Sequence, residues 1–369
     1  MVIKNAKILK ENGGFENGSI YIEGDCFANF AAGEQLDASG CFAAPGLVDI
    51  HFHGCMGHDF CDADALSLKT IAAYQAKCGV AAICPAVMTL PEQQLIKICK
   101  NAAAFKSDEG AALVGINLEG PFISAEKSGA QNVKYIRLPD VELFRKLQTA
   151  SNGLIKIVGV APEKQGAQQF ISALKDEVKI SLAHTKADYA CAKAAFKNGA
   201  SHVTHLFNAM PPFLHREPGV IGAASDSESV SVELIADGVH LHPSTVRTAF
   251  KLFGKDRVIL ISDSIRATGL PNGEYELGGQ KVFANDNRCT LADGTLAGSN
   301  TNLADCVKSA VKMGVPLEVA LKCASENPSK AIGAFDRFGS ITAGKSADLI
   351  VLNEQLETVH VVIRGKLIF

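Results

Sequence analysis

Eight short apolar runs recur through the middle of the chain, with helix-patterned segments between them. They are LVDIHFH (47–53), VAAICPAV (80–87), ALVGINLEG (112–120), LIKIVGVA (154–161), VKISLAH (178–184), SHVTHLF (201–207), VSVELIADG (230–238) and VILISD (258–263). Runs this continuous suit parallel strands covered on both faces rather than a sheet with one wet face. Stretches such as ALSLKTIAAYQAKCG and QQLIKICKNAAAF between them carry helical spacing. Eight alternations predict an α/β fold of the TIM-type, a (β/α)8 barrel, with a doubly wound open sheet as the competing architecture.

The two ends follow a different pattern. VIKNAKIL, GSIYIEG and CFAAPG near the start read as short strands, as does GSITAGKSADLIVLNEQLETVHVVIRGKLIF from Gly339. The expected organisation is a small β-sandwich domain built from both termini (1–44 and 336–369) and a barrel over 45–335. A hairpin-like β insertion is expected near 273–298. At 47% hydrophobic and 20% charged residues, the chain can build a large core and does not read as disordered. Net charge is -3 without a long run of one sign, so neither nucleic acid nor an anionic membrane is an expected partner. MVIKNAKILKENGG carries no basic region followed by an apolar core, and no apolar stretch approaches the roughly 20 residues that span a bilayer. Eleven cysteines without a CxxC pair suggest reduced thiols and a cytoplasmic location. Cys55 and Cys61 follow a candidate metal motif but read first as buried core thiols.

Residues able to bind a cation collect at the ends of the runs. His51 and His53 end the first, Glu119 the third, His184 the fifth and Asp263 the eighth; His205 lies in the sixth. In a barrel these carboxyl ends converge on one mouth. His51 and His53, two residues apart, would point to the same side of a strand and clamp one cation. His184 and His205 could hold a second, and the two oxygens of Glu119 could bridge them. Such nitrogen and oxygen donors suit zinc or iron(II), with manganese or cobalt also acceptable. Taken singly, each residue has a plainer role: a structural histidine, an ion-pairing Glu119, a helix cap at Asp263. Joint placement at five strand ends is what favours metal. His58, His202, His215 and His360 receive no role, and strand alternation turns His202 away if His205 faces inward.

PGLVDIHFHG (45–54), LEGPFI (118–123), LAHTKA (182–187), THLFNAMPPFLHREPG (204–219), DGVHLHP (237–243) and SDSIRATG (262–269) closely resemble the motifs of the N-acetylglucosamine-6-phosphate deacetylase family, and the tail from Ser325 resembles the wider amidohydrolase superfamily. The resemblance spans nearly the whole chain. It implies Glu119, His184 and His205 as shared metal ligands, His51 and His53 as a possible second site, and Asp263 as the catalytic aspartate. It further implies substrate contacts from Ala130, Asn208, Ala209, Leu296, Ala297 and Gly298, with Arg216 and His240 near a sugar phosphate. Arg216 could instead pair with Glu217. One or two divalent ions per subunit, a small amino-sugar phosphate as substrate and a homodimer are the corresponding expectations. Some single-metal members carry a histidine where Gln131 stands here, so a second cation at His51 and His53 is expected to take over carbonyl polarisation. The implied reaction is metal-assisted hydrolysis of the N-acetyl amide, with Asp263 as general base and then acid. The alternatives are another amidohydrolase, such as an N-acyl-D-amino-acid deacylase or a cyclic-amide hydrolase, and a non-catalytic scaffold of the same fold.

Overall fold

Each of the eight apolar runs forms a barrel strand in the computed structural model, which describes residues 1–11, 13–106 and 109–369. The strands are Leu47–Asp49, Val80–Ile83 continued by Ala86–Val87, Ala112–Leu113 continued by Ile116–Leu118, Ile155–Val160, Lys179–Leu182, His202–Val203, Ser231–Ile235 and Val258–Ile261. All neighbouring pairs are parallel. The second strand breaks around Pro85, which has no N–H to give to a ladder. The third breaks around Gly115, where a Cβ would lie 2.6 Å from Lys156 Cγ and 2.8 Å from Cys84 Sγ. Their first halves form a three-stranded sheet with the first strand, in the order third, second, first, and their second halves continue into strands four to eight. The circuit closes where the Asp263 N–H donates to the His51 carbonyl at 2.9 Å. The barrel is therefore the architecture adopted, not the open sheet.

Helices cover the outside because the crossover segments carry the caps and apolar stripes that helices need. Asp64, Asp140, Asp188 and Asn302 each accept a backbone N–H at the start of a helix: Ala65–Lys77, Val141–Ala150, Tyr189–Asn198 and Leu303–Lys312. Phe122, Phe144 and Phe170 lock neighbouring segments together, with ring centroids 5.0 and 6.2 Å from Phe170. Each is fully buried, which is worth about 1.5–3 kcal/mol per side chain.

Both ends of the chain meet in one eight-stranded sheet. Val2–Leu9 lies in its middle and pairs with three strands: Phe15–Glu23, Gln35–Asp37 and Phe42–Pro45. Phe42–Pro45 in turn pairs with Leu349–Leu352 near the far terminus. A bridge between Cys26 and Ser346 folds the sheet over on itself, around a core of Ile3, Ile20, Ile22, Phe27, Leu349 and Val351. This is the small β-sandwich expected from both termini.

The insertion is larger than the expected hairpin. Gly273–Leu277, Gln280–Asn285, Arg288–Thr290 and Leu296–Ser299 form a four-stranded antiparallel sheet. The fourth strand returns to the barrel mouth, where the Ser299 N–H donates to the Asp263 carbonyl at 2.8 Å. Gly298 makes that approach possible: its φ is +67°, and a Cβ there would lie 2.5 Å from Ile265 and 2.8 Å from the Asp263 carbonyl. Among the described residues, no helix is long and apolar enough to cross a membrane.

Candidate active site

Glu119, His184 and His205 form one potential metal-binding group, and His51, His53 and Asp263 form a second. Within each group the donor atoms lie within 4.8 Å of one another. Glu119 joins the two. Its Oε1 is 2.9 Å from His184 Nε2, 3.3 Å from His205 Nε2 and 3.5 Å from His51 Nε2, while its Oε2 is 3.5 Å from His53 Nε2. Asp263 Oδ1 is 3.4 Å from His53 Nε2 and 3.8 Å from His51 Nε2. All six side chains are buried.

The backbone turns sharply to bring them there. His184, His205 and Asp263 have φ of 42°, 29° and 51°, a region that costs a non-glycine residue about 1–3 kcal/mol. Each strand has ended by then, so alternation no longer governs where the next side chain points. This overturns the expectation for His202. Its strand ends at Val203, and His202 and His205 both reach the same buried network.

Proton bookkeeping tests whether these residues fit a cation. His184 Nδ1 lies 2.8 Å from the Lys127 carbonyl, which only accepts, so Nδ1 carries the proton. His51 Nδ1 lies 2.9 Å from a Glu233 carboxylate oxygen and must donate as well. The Nε2 atoms of the neutral rings are then lone pairs aimed at carboxylate oxygens. His184 Nε2 stands only 2.9 Å from Glu119 Oε1. Acceptors do not converge this closely on one another without something positive between them. A tetrahedral zinc ion with bonds of about 2.0–2.1 Å holds its ligand atoms about 3.3 Å apart, and the separations here run from 2.9 to 3.8 Å. Among the described residues, none of Glu119, Glu233 and Asp263 has a lysine or arginine within ion-pairing distance; their partners are histidines. The donor set fits divalent metal.

The protein's charges are arranged accordingly. Burial would raise the Glu119 carboxyl, but the histidines around it, His51 foremost and then His184 and His205, hold it well below the usual range. Burial opposes ionisation of Asp263 too, and His53, with His51 beside it, brings it down. Gln131 donates from Nε2 to Glu119 Oε2 at 2.7 Å and accepts the Thr89 N–H at 2.6 Å, so it orients the bridging carboxylate.

A cavity of about 360 Å³ opens over the two groups. Its walls include Ala130, Gln131, Asn208, Ala209, His240, Leu277, Leu296 and Gly298. Ala297 is fully buried and not part of the lining. His240 donates to Asp237 at 2.7 Å; burial would lower its pKa, and this contact raises it instead. Arg216 is elsewhere. It sits on the exposed segment 212–217, outside the cavity lining, 2.7 Å from His215 Nε2 rather than paired with Glu217. Asp263 caps no helix: its N–H and C=O are bonded to His51 and Ser299. Cys55 and Cys61 are buried and free, and neither lines the cavity.

Sequence reasoning missed Glu233. It stands inside the seventh apolar run with nothing around it in sequence to mark it, yet it is fully buried and accepts from His51 Nδ1, from His202 Nε2 and from the His205 backbone N–H. The one available signal was a carboxylate with apolar neighbours on both sides, which needs buried partners.

The sequence pattern of the amidohydrolase family matches residues 42–368. The chain is 39% identical to the N-acetylglucosamine-6-phosphate deacetylase of Bacillus subtilis (strain 168), over 100% of this chain and 97% of that protein. It is 33% identical to the enzyme of the same name from Lysinibacillus sphaericus, over 96% and 94%. Among solved structures, an aspartate-to-alanine mutant of N-acetyl-D-glucosamine-6-phosphate deacetylase from Mycobacterium smegmatis, in complex with N-acetyl-D-glucosamine-6-phosphate, superposes with a TM-score of 0.93. It is 30% identical, covering 100% of this chain and 98% of that one.

Proposed function

Since this chain belongs to the amidohydrolase family, we infer that it hydrolyses the N-acetyl amide of N-acetylglucosamine 6-phosphate, releasing acetate and glucosamine 6-phosphate. The observation that carries the chemistry is the pair of histidine–carboxylate groups sharing Glu119 at the floor of the cavity. Acetate release from N-acetylglucosamine 6-phosphate by the metal-loaded protein tests it. Absence of acetate, with release from an N-acyl-D-amino acid or a cyclic amide, would transfer the reading to another branch of the family.

We read Glu119, His184 and His205 as ligands of one divalent ion and His51 and His53 as ligands of a second. Zinc or iron(II) matches the nitrogen and oxygen donors best. A cation bound there lowers the pKa of water and polarises the acetyl carbonyl. The protein's own groups do the rest. Asp263, at the cavity wall beside His53, accepts a proton from the attacking water and delivers it to the departing nitrogen. Asn208, Ala209, Ala130 and the Leu296–Gly298 strand shape the sugar site. His240, whose proton is held by Asp237, faces the same space and offers a donor to phosphate.

Arg216 belongs to this reading through a second copy of the chain. Phe213 and Leu214 beside it are 49% and 47% exposed, an apolar pair that a dimer would cover. The partner's exposed segment is then the source of the phosphate-binding fork. Arg216→Ala is expected to reduce kcat/KM on the 6-phosphate by about 10- to 100-fold, the worth of a charged hydrogen bond. Activity on unphosphorylated N-acetylglucosamine should stay nearly constant, and equal losses on both substrates would remove Arg216 from the site. The reading also divides the chain into a terminal β domain (1–44 and 336–369) and a barrel (45–335), supported by their separate sheets and by a core cluster that the terminal sheet keeps to itself. The eleven free cysteines support a cytoplasmic setting.

A further inference from the structure

Glu233 is a charged side chain with no exposure, in the middle of the seventh barrel strand. A carboxylate in that position is expensive unless its charge is answered. Among the described residues no lysine or arginine bonds it, and its hydrogen bonds come from three donors instead. His51 Nδ1 meets Oε2 at 2.9 Å, the His205 N–H meets the same oxygen at 3.0 Å, and His202 Nε2 meets Oε1 at 3.0 Å. The Ser231 hydroxyl completes the chain at 2.6 Å from His202 Nδ1. The short contacts support one assignment: His202 and His51 both donate to Glu233, and Ser231 donates to His202 in preference to the Ser201 carbonyl at 3.4 Å.

That assignment has a directional consequence. With Nδ1 of His51 committed to Glu233, Nε2 is left as the donor atom facing Glu119 and Asp263, and among the described residues it has no hydrogen-bond partner. The negative charge of Glu233 lies on the far side of the same ring. A carboxylate behind an imidazole fixes its orientation and raises its basicity toward a metal on the other side. One oxygen of Glu233 also holds the backbone of His205, a member of the other group.

We propose that Glu233 is a positioning residue that makes the His51–His53 site able to hold a second cation. His202 and Ser231 keep Glu233 in register. The inference rests on the metal-dependent reading above, but it concerns ion occupancy, not substrate, so the two can fail separately.

The test is ion binding by the full chain. Wild type and Glu233→Gln are loaded with zinc(II), equilibrated against a graded series of a competing chelator, and assayed for zinc per chain without substrate. Glutamine keeps the shape and one acceptor oxygen but removes the charge. The wild type should release zinc in two steps. In the variant the weaker step should shift by about 10- to 100-fold towards release, with the tighter step shifted much less. A purely structural role would lower Tm without separating the two steps. Should the glutamine variant not fold, Glu233→Asp, which keeps the charge on a shorter arm, should show the same selective weakening. One zinc per wild-type chain at saturation, or unchanged release from the folded variant, overturns the proposal. Acetate release by the wild type, measured in parallel, reports separately on the substrate reading.

Discussion

Asp263→Asn is expected to lower kcat by about 10³- to 10⁴-fold, towards the upper end of what a positioned acid–base group contributes. The side chain would do two jobs in one cycle, taking a proton and giving it back, and asparagine can do neither. The shapes match, so the packing around Ile265 and the Gly298 strand need not change, and the Asp263 backbone bonds to His51 and Ser299 remain. Zinc content and substrate Kd should therefore stay close to wild type. Measuring all three in one preparation separates a chemical defect from a lost ion. Turnover within tenfold of wild type would show that another group moves the proton.

Removing Glu119 should be at least as damaging, by a different route. Its two oxygens face both histidine groups, so Glu119→Ala takes a ligand from each site at once. Bound metal should fall to background, and kcat/KM by about 10³-fold or more, because water without a cation has a pKa far above neutrality. Stability provides an independent check. An ion that binds only the folded state stabilises it by mass action, so the variant should melt with metal-stripped wild type rather than with the loaded protein. It should not melt much lower, since deleting a buried carboxylate also deletes its desolvation cost. A variant that retains stoichiometric zinc would exclude Glu119 as the bridge.

The barrel is legible in the sequence because buried parallel strands need apolar residues on both faces, and that requirement writes itself as uninterrupted runs such as LIKIVGVA and VILISD. The polar strand-end residues are legible for the complementary reason: a histidine or carboxylate closing an apolar run has few other uses. Alternation failed for His202 because the φ of His205 is positive, and a two-residue period holds only while the chain is a strand. Glu233 was passed over because its partners come from runs 182 and 31 residues away, and no local pattern encodes them. The insertion was read as a hairpin although Asp293-Gly294 marks a turn between its last two strands, because those strands, at three and four residues, are too short for alternation to show.

By itself, the sequence determined the order of strands and helices, the meeting of the two ends in one sheet, and the supply of nitrogen and oxygen donors at the strand ends. Those follow from periodicity and residue chemistry, which are local. Only the tertiary structure decided which nitrogens of His51 and His184 are free, that Gln131 braces Glu119, that Glu233 stands behind His51, and that Arg216 lies outside its own chain's cavity. Each of these depends on distances between segments far apart in the chain, set when the barrel closes and its core packs.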